Sequence, residues 1–173
     1  MRRVRYNVAM SLDGFIADED GGYGWIVEDP TIDFGALFAQ FDTLLMGRKT
    51  FEAVRQQGPG PTAPGTKVVV FSHTLRQEDH PDVTIVGDGA AEAVAALKAA
   101  PGKDLWLFGG GVLFRTFLDA GLVDTIEVAV IPVLLSRGIP MLPPGAPSPA
   151  LELTGSERLP SGIVMLTYAP RRA

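Results

Sequence analysis

The sequence predicts an α/β domain built on a mixed, mainly parallel sheet, and three observations predict it. Short apolar runs of strand formers alternate along the chain with segments of helical spacing. Two of those runs, Thr43–Met46 and Leu105–Phe108, pass directly through glycine into a helical segment, as strands of a parallel sheet do. The last two, Leu151–Leu159 and Ile163–Tyr168, flank Pro160-Ser161-Gly162 and read as a closing antiparallel hairpin.

Taken in order, Val4–Met10 alternates loosely and is rich in strand formers, so it is the first strand. Ser11-Leu12-Asp13-Gly14 turns it and Phe15-Ile16-Ala17 continues extended. Asp18–Gly24 is a polar, glycine-rich loop, mobile by composition. Thr31 or Asp33 caps a helix over Phe34–Phe41, whose apolar residues Phe34, Leu37, Phe38 and Phe41 share one face. Thr43–Met46 is a buried strand, and Gly47-Arg48-Lys49-Thr50 turns it into a helix reaching about Gln56. Gly58–Gly65 is a loop, Lys67–Phe71 a third strand ending in Ser72-His73-Thr74, and Val83–Val86 a fourth. Gly89 opens a helix with Val94 and Leu97 on one face and Glu92 in its first turn, where an acid suits the helix dipole. After Leu105–Phe108 come Gly109, Gly110 and Gly111, then a helix marked by Phe114, Phe117 and Leu118 and ending near Gly121. Thr125–Val133 is a long strand and Ile139–Pro149 a proline-rich loop.

The 173 residues suit one domain spanning 1–173, large enough to bury a core without staples. Hydrophobic residues make up 46% and charged ones 20%, a globular balance. No apolar run approaches the ~20 residues of a membrane span, and the basic, mixed N-terminus is not a signal peptide. The absence of cysteine excludes disulfides, cysteine–zinc sites and thiol catalysis. A net charge of −5 argues against a nucleic-acid surface, although one anionic ligand needs only a local basic cluster. These totals point to a cytoplasmic protein acting on a small molecule, with no membrane, nucleic-acid or metal partner.

In sheets of this class ligands bind beyond the carboxyl ends of the strands. The turns there carry Asp13, Gly47–Thr50, Ser72–Thr74 and Gly109–Gly111. The triple glycine lets main chain approach a ligand with no Cβ in the way. In Gly47-Arg48-Lys49-Thr50, a glycine, a planar guanidinium and a hydroxyl stand together at a helix entrance. Cations there oppose the helix dipole, so two in succession favour an anionic ligand over a merely solvated turn.

Leu44–Val54 (LLMGRKTFEAV) resembles the phosphate-binding turn of dihydrofolate reductases, and Phe108–Gly111 resembles their cis glycine pair beside the nicotinamide. Val8–Ala17 (VAMSLDGFIA) and Ile131–Leu142 (IPVLLSRGIPML) look closer to a sister group, the pyrimidine reductase domain of bacterial riboflavin biosynthesis and the small stand-alone reductases similar to it. The resemblance implies a three-layer, eight-stranded mixed sheet with flanking helices, and NADPH as cofactor. It implies that Gly47, Arg48, Lys49 and Thr50 hold phosphates and that Ser72 and His73 meet the adenosine 2′-phosphate. Ala9, Ile16 and Gly109–Gly111, bordered by Phe108, Val112 and Leu113, would frame the nicotinamide. It further implies a homodimer paired through terminal strands.

Hydride transfer to C=N or C=O also needs a proton source. The acid that dihydrofolate reductases carry on their first helix falls here on Pro30 or Thr31, and neither ionises. Glu28, Asp29 and Asp33 are its neighbours, and Asp13 matches an acidic turn of the pyrimidine reductases; Asp13, Glu28 and Asp33 are the catalytic candidates. Asp13, Trp25 and Phe38 are candidates for the substrate pocket. The chain begins at the first reductase strand and lacks cysteine, so no zinc deaminase domain is expected. The expected activity is an NADPH-dependent reduction resembling that of 5-amino-6-(5-phosphoribosylamino)uracil, with a weak dihydrofolate reductase and a silent nucleotide-binding protein as alternatives.

Overall fold

The computed structural model describes residues 1–56 and 65–171. The expected loop at Gly58–Gly65 therefore lies, but for Gly65, outside the described residues. The chain runs β1 (Val4–Ser11), β2 (Phe15–Ala17), α1 (Phe34–Phe38), β3 (Phe41–Gly47), α2 (Arg48–Gln56), β4 (Lys67–Phe71) and β5 (Thr84–Val86). It continues through α3 (Ala90–Ala99), β6 (Asp104–Gly109), α4 (Gly111–Asp119), β7 (Thr125–Ile131), β8 (Ile139–Pro140), β9 (Leu151–Arg158) and β10 (Val164–Pro170). Eight strands form one mixed sheet in the order β5-β4-β3-β6-β1-β7-β10-β9. Every neighbouring pair is parallel except those of β10, which runs antiparallel to both β7 and β9. The predicted mainly parallel sheet with a terminal hairpin is the one observed.

Alternation along the strands gives the sheet two apolar faces. Val4 and Tyr6 of β1, Leu105 and Leu107 of β6 and Val128 of β7 face α3 and α4, meeting Val94, Phe114 and Phe117. The Tyr6 ring stacks on Phe114 at 3.9 Å. On the opposite face Leu44, Met46, Val70 and Trp106 pack against Phe51 of α2, with Leu37 and Phe38 of α1 at the margin. A separate cluster on that face joins Ile131, Leu159 and Ile163 to Trp25, Ile26, Ile32, Ala9, Ala129 and Met165.

Three elements differ from expectation. The first helix stops at Phe38, and Phe41, expected at its last apolar position, opens β3. Its ring lies 4.9 Å from that of Trp106, beneath the Arg5 guanidinium, so tertiary packing draws it into the sheet. The strand expected over Thr125–Val133 ends at Ile131, because Pro132 has no N–H to continue the ladder. Within the expected loop Ile139–Pro149, β8 pairs antiparallel with β2.

Buried charge ties the sheet to itself. Arg5, only 8% exposed, donates through Nε and Nη2 to the two carboxylate oxygens of Glu127 at 2.7 and 2.9 Å. Asn7 Nδ2 donates to the same carboxylate at 2.8 Å, and Arg5 Nη1 donates to Gln40. At the other end Lys98, itself buried, donates to Asp124 and to the Leu122 carbonyl, holding α3 to the entry of β7.

Candidate functional site

A central strand of an eight-stranded sheet is normally covered on both faces. Yet β1, with neighbours on either side, is only half-buried from Asn7 to Met10. Its register with β7 runs on to Ser11↔Ile131, whereas that with β6 stops at Tyr6↔Leu107. Beyond Tyr6 the two strands part, and the Trp106 indole N–H donates to the Asn7 carbonyl. The main chain of Val8–Met10 thus faces a gap with no strand across it on the β6 side.

The two glycine-bearing turns flank that gap. Met46 pairs with Gly109, so β3 and β6 end side by side. The Gly109–Gly110 peptide is cis. Thr50 Oγ1 lies 3.6 Å from where a Cβ on Gly109 would stand and 3.3 Å from one on Gly110. Gly47 and Leu113 face each other at similarly close range, a Cβ on Gly47 standing 4.0 Å from that of Leu113. Gly111 is packed on its other side: a Cβ there would meet the Pro140 and Met141 carbonyl oxygens at 2.7 and 2.9 Å. Val112, in the first turn of α4, points to solvent.

Arg48 opens α2, is exposed, and pairs with Glu52 one turn on at 3.2 Å. Such an i,i+4 surface pair contributes only about 0.3–0.5 kcal/mol and is readily exchanged for a better anion. Lys49 beside it is exposed as well. Gly47 pairs with Phe71, so Ser72 and His73 follow directly at the next strand end. The Ser72 hydroxyl oxygen accepts from the N–H groups of Thr74 and Leu75, which closes the turn after β4. His73 is exposed, 3.5 Å from Asp88. Ala9, Gly109–Gly111, Gly47–Thr50 and Ser72–His73 therefore sit on four adjacent strand ends, β1-β6-β3-β4. Three strand spacings give this row a span of about 14 Å. Ile16 lies on β2, between Phe15 and Ala17, which pair with Pro140 and Ile139.

The acidic candidates divide by what they already hold. Asp13 accepts from the Ser11 hydroxyl and from the Leu135 and Ser136 N–H groups, and these bonds keep its carboxyl below the usual carboxylate range. It fastens the 132–138 loop to the end of β1 rather than facing the gap with a free proton. Asp33 caps α1, accepting from the Ala36 N–H at 2.8 Å, as the sequence predicts for one of its two cap candidates. Glu28 is exposed and makes no hydrogen bond or ion pair among the described residues. Its neighbour Asp29 is buried and accepts from Ser161 N–H, Thr31 N–H and the Thr31 hydroxyl. Those donors, the Ser161 side first, hold the Asp29 carboxyl far below its ordinary range. A depressed folded-state pKa stabilises the fold above the unfolded value of about 4 and loses that contribution as pH falls towards the folded one. Asp29→Asn is accordingly expected to lower the melting temperature at pH 7, with the gap to the parent closing steadily below about pH 4. Melting curves of both proteins across that range check it.

Trp25 packs in the Ile131 cluster and donates to the Gly22 carbonyl. The Asp18–Gly24 loop, expected to be mobile, is tied by Asp18 Oδ1, which accepts from the Asp20 and Gly22 N–H groups. Phe38 stacks on Trp106 at 5.4 Å, with Phe34 outside it at 6.1 Å and Phe108 inside at 5.3 Å from Trp106. Phe34, Trp106 and Asn7 are site-flanking residues that sequence reasoning does not single out. Each reads alone as an ordinary helix or strand residue, and only the fold aligns them.

Comparison with known proteins agrees with this architecture. The chain is 34% identical to the uncharacterized protein YyaP of Bacillus subtilis (strain 168), over 96% of this chain and 94% of that protein. A crystal structure from Shewanella sp. PV-4, provisionally assigned to riboflavin biosynthesis, superposes with a TM-score of 0.82 at 29% identity, covering 99% of this chain and all of that one. Dihydrofolate reductase from Enterococcus faecalis, complexed with NADP(H), shares the fold with a TM-score of 0.71 at 16% identity, covering 98% and 97% of the two chains. The RibD C-terminal domain family matches residues 2–165. A dihydrofolate reductase-like sheet, the two glycine turns at its carboxyl edge and this match over nearly the whole chain establish that the protein belongs to the RibD C-terminal domain family.

Proposed function

We propose that the protein is an NADPH-dependent reductase of the riboflavin-biosynthesis type, acting on a C=N or C=O bond of a small heterocyclic compound. The observation that carries this reading is the gap beside β1, bordered by two glycine turns in one row of strand ends. When bound, NADPH supplies hydride to the unsaturated carbon of the substrate. Gly109, Gly110 and Thr50 leave room for main-chain approach, and the unpaired edge of Val8–Met10 offers N–H and C=O groups to a carboxamide. Phe108, Val112, Leu113 and Ile16 border the ring. Gly47, Arg48, Lys49 and Thr50 hold phosphates, with Ser72 and His73 next in line for the adenosine end. The pyrimidine-type acceptor lies against Trp25 and Phe38. Its nitrogen or oxygen takes a proton from Glu28, because Asp13 and Asp33 are engaged by backbone N–H groups.

NADPH and NADH titrations of the parent and of Arg48→Ala, with steady-state turnover of Glu28→Gln, test the proposal. One charge-assisted hydrogen bond lost is about 1.5–3 kcal/mol, so Arg48→Ala is expected to weaken NADPH by roughly tenfold or more, and NADH less. Glu28→Gln is expected to lower turnover with coenzyme affinity unchanged. Equal losses for both coenzymes remove Arg48 from 2′-phosphate recognition, and no NADPH uptake by the parent removes the whole reading.

We also propose a cytoplasmic homodimer paired through β9. Among the described residues this eight-residue edge strand has no outer neighbour in the sheet, and it leaves Leu151 and Leu153 40% and 53% exposed. Such an edge invites strand pairing. Light scattering is expected to give twice the chain mass at micromolar concentration, and half that value for Leu153→Glu; a monomeric parent overturns it.

A further inference from the structure

We infer that Arg115 of α4 is a positioning residue for the nicotinamide end of the site, acting through the proline-rich segment it grips, an assignment that rests on the reductase reading above. Arg115 stands one turn beyond Gly111, so the two share a face of α4. The chain running on from β8 covers that face. At Gly111 the cover is close: the Pro140 and Met141 carbonyl oxygens stand 2.7 and 2.9 Å from where its Cβ would be, and the Pro143 ring 3.1 Å. The Met141 N–H donates to the Gly14 carbonyl at 3.0 Å, and the Met141 and Leu142 side chains pack against the cluster of Leu113 and Phe114. β8 also pairs with β2, which carries Ile16. One short segment thus backs the glycine turn and braces β2, two of the borders proposed for the nicotinamide ring.

The continuation of that segment does not hold itself. Residues 143–149 read Pro-Pro-Gly-Ala-Pro-Ser-Pro, and the four prolines have no N–H to donate. None of the seven makes a backbone–backbone hydrogen bond among the described residues. Arg115 supplies the donors instead. Its Nη2 donates to the Pro143 carbonyl at 2.8 Å, and its Nη1 to the Ala146 carbonyl at 2.8 Å and the Ser148 hydroxyl at 3.3 Å. Asp119, one turn further along α4, accepts from Nη1 at 3.3 Å and steadies the guanidinium. The side chain is only 15% exposed, so the grip is largely shielded from water. Its Nε is buried with no partner among the described residues, which leaves the two terminal nitrogens to do the holding.

A binding surface is as firm as the shell that supports it. Releasing Pro143 slackens the stretch whose Pro140 and Met141 carbonyls press on Gly111, and with it β8 and β2. The proposed phosphate and adenosine contacts lie elsewhere, on α2 and at the end of β4, and no atom of this segment touches them. Loss of Arg115 is therefore felt at the ring end of the coenzyme and not at its other end.

Calorimetric titration of the parent and of Arg115→Ala tests this, using NADPH and 2′-phospho-ADP-ribose, the same coenzyme without its nicotinamide. In Arg115→Ala, NADPH is expected to bind at least tenfold more weakly while the fragment stays within twofold of the parent. A merely structural role moves both ligands together or neither. Gly145→Val disturbs the same grip with the charge retained: Gly145 is exposed, and a Cβ there would stand 3.0 Å from the Arg115 Nε. It is expected to weaken NADPH at least threefold with the fragment unchanged, and it carries the test if Arg115→Ala does not fold. Equal losses for the two ligands, or unaltered NADPH affinity in either folded variant, overturn the assignment. A parent that takes up no NADPH defeats the reductase reading, whereas a parent that binds both ligands, with equal losses in the variants, defeats only the role of Arg115.

Discussion

Glu127→Ala is expected to cost about 3–5 kcal/mol of folding stability, the range for removing one partner of a buried ion pair. The reason lies in what remains rather than in what is removed. Arg5 keeps its charge, stays 8% exposed over the Phe41 ring and beside Gln40, and loses both of its short carboxylate bonds. Asp104, 3.5 Å away, is already engaged by Arg3, whose guanidinium helps hold that carboxyl below its ordinary range against the opposing effect of burial. Asn7 loses its acceptor at the same time. Glu127→Gln keeps one acceptor for Arg5 and should cost less. Urea unfolding of both variants measures the difference; a loss below about 1 kcal/mol for the alanine variant would mean that water reaches Arg5 and satisfies it.

The second large effect is on binding. Gly110→Val is expected to weaken NADPH at least a hundredfold, about 2.7 kcal/mol, with little change in melting temperature. Gly110 has φ −93°, an extended backbone that any residue adopts, so the substitution acts through space and not through conformation. Its Cβ would stand 3.3 Å from Thr50 Oγ1, and the two methyl groups beyond would fill the interval between the turns. Gly110→Ala adds the Cβ alone and should lose less. Calorimetry with the reduced coenzyme, alongside thermal melts, separates the two readouts. Unaltered affinity in the valine variant would show that this interval is not where the coenzyme lies.

Much of the architecture was legible because it is local. Arg48–Gln56 and Ala90–Ala99 each follow a glycine at a strand end, and periodicity suffices to place them. The Gly47-Arg48-Lys49-Thr50 turn and the triple glycine announce themselves by composition, and only their adjacency needed the fold. Phe41 misled because helical spacing is blind to a Trp106 ring 65 positions later. The two-residue β8 was unreadable for a similar reason: it exists by pairing with β2, far away in the chain. The polar framework was hidden altogether. Arg5 and Glu127 are 122 residues apart, and Asp29 and Ser161 132, so nothing near either partner marks it as buried. Asp13 was half legible: its sequence marks a turn, and its carboxylate is occupied in fastening one.

The early parting of β1 from β6 has a thermodynamic corollary. A sheet whose middle seam is left unstitched over Val8–Met10 keeps part of its cohesion in reserve. Any guest whose amide mimics a missing strand closes that seam, so the same hydrogen bonds that select the guest also splice the two halves of the protein together. Tolerance to heat is thereby linked to guest concentration by mass action, and amide protons of β1 should exchange fastest in the empty protein.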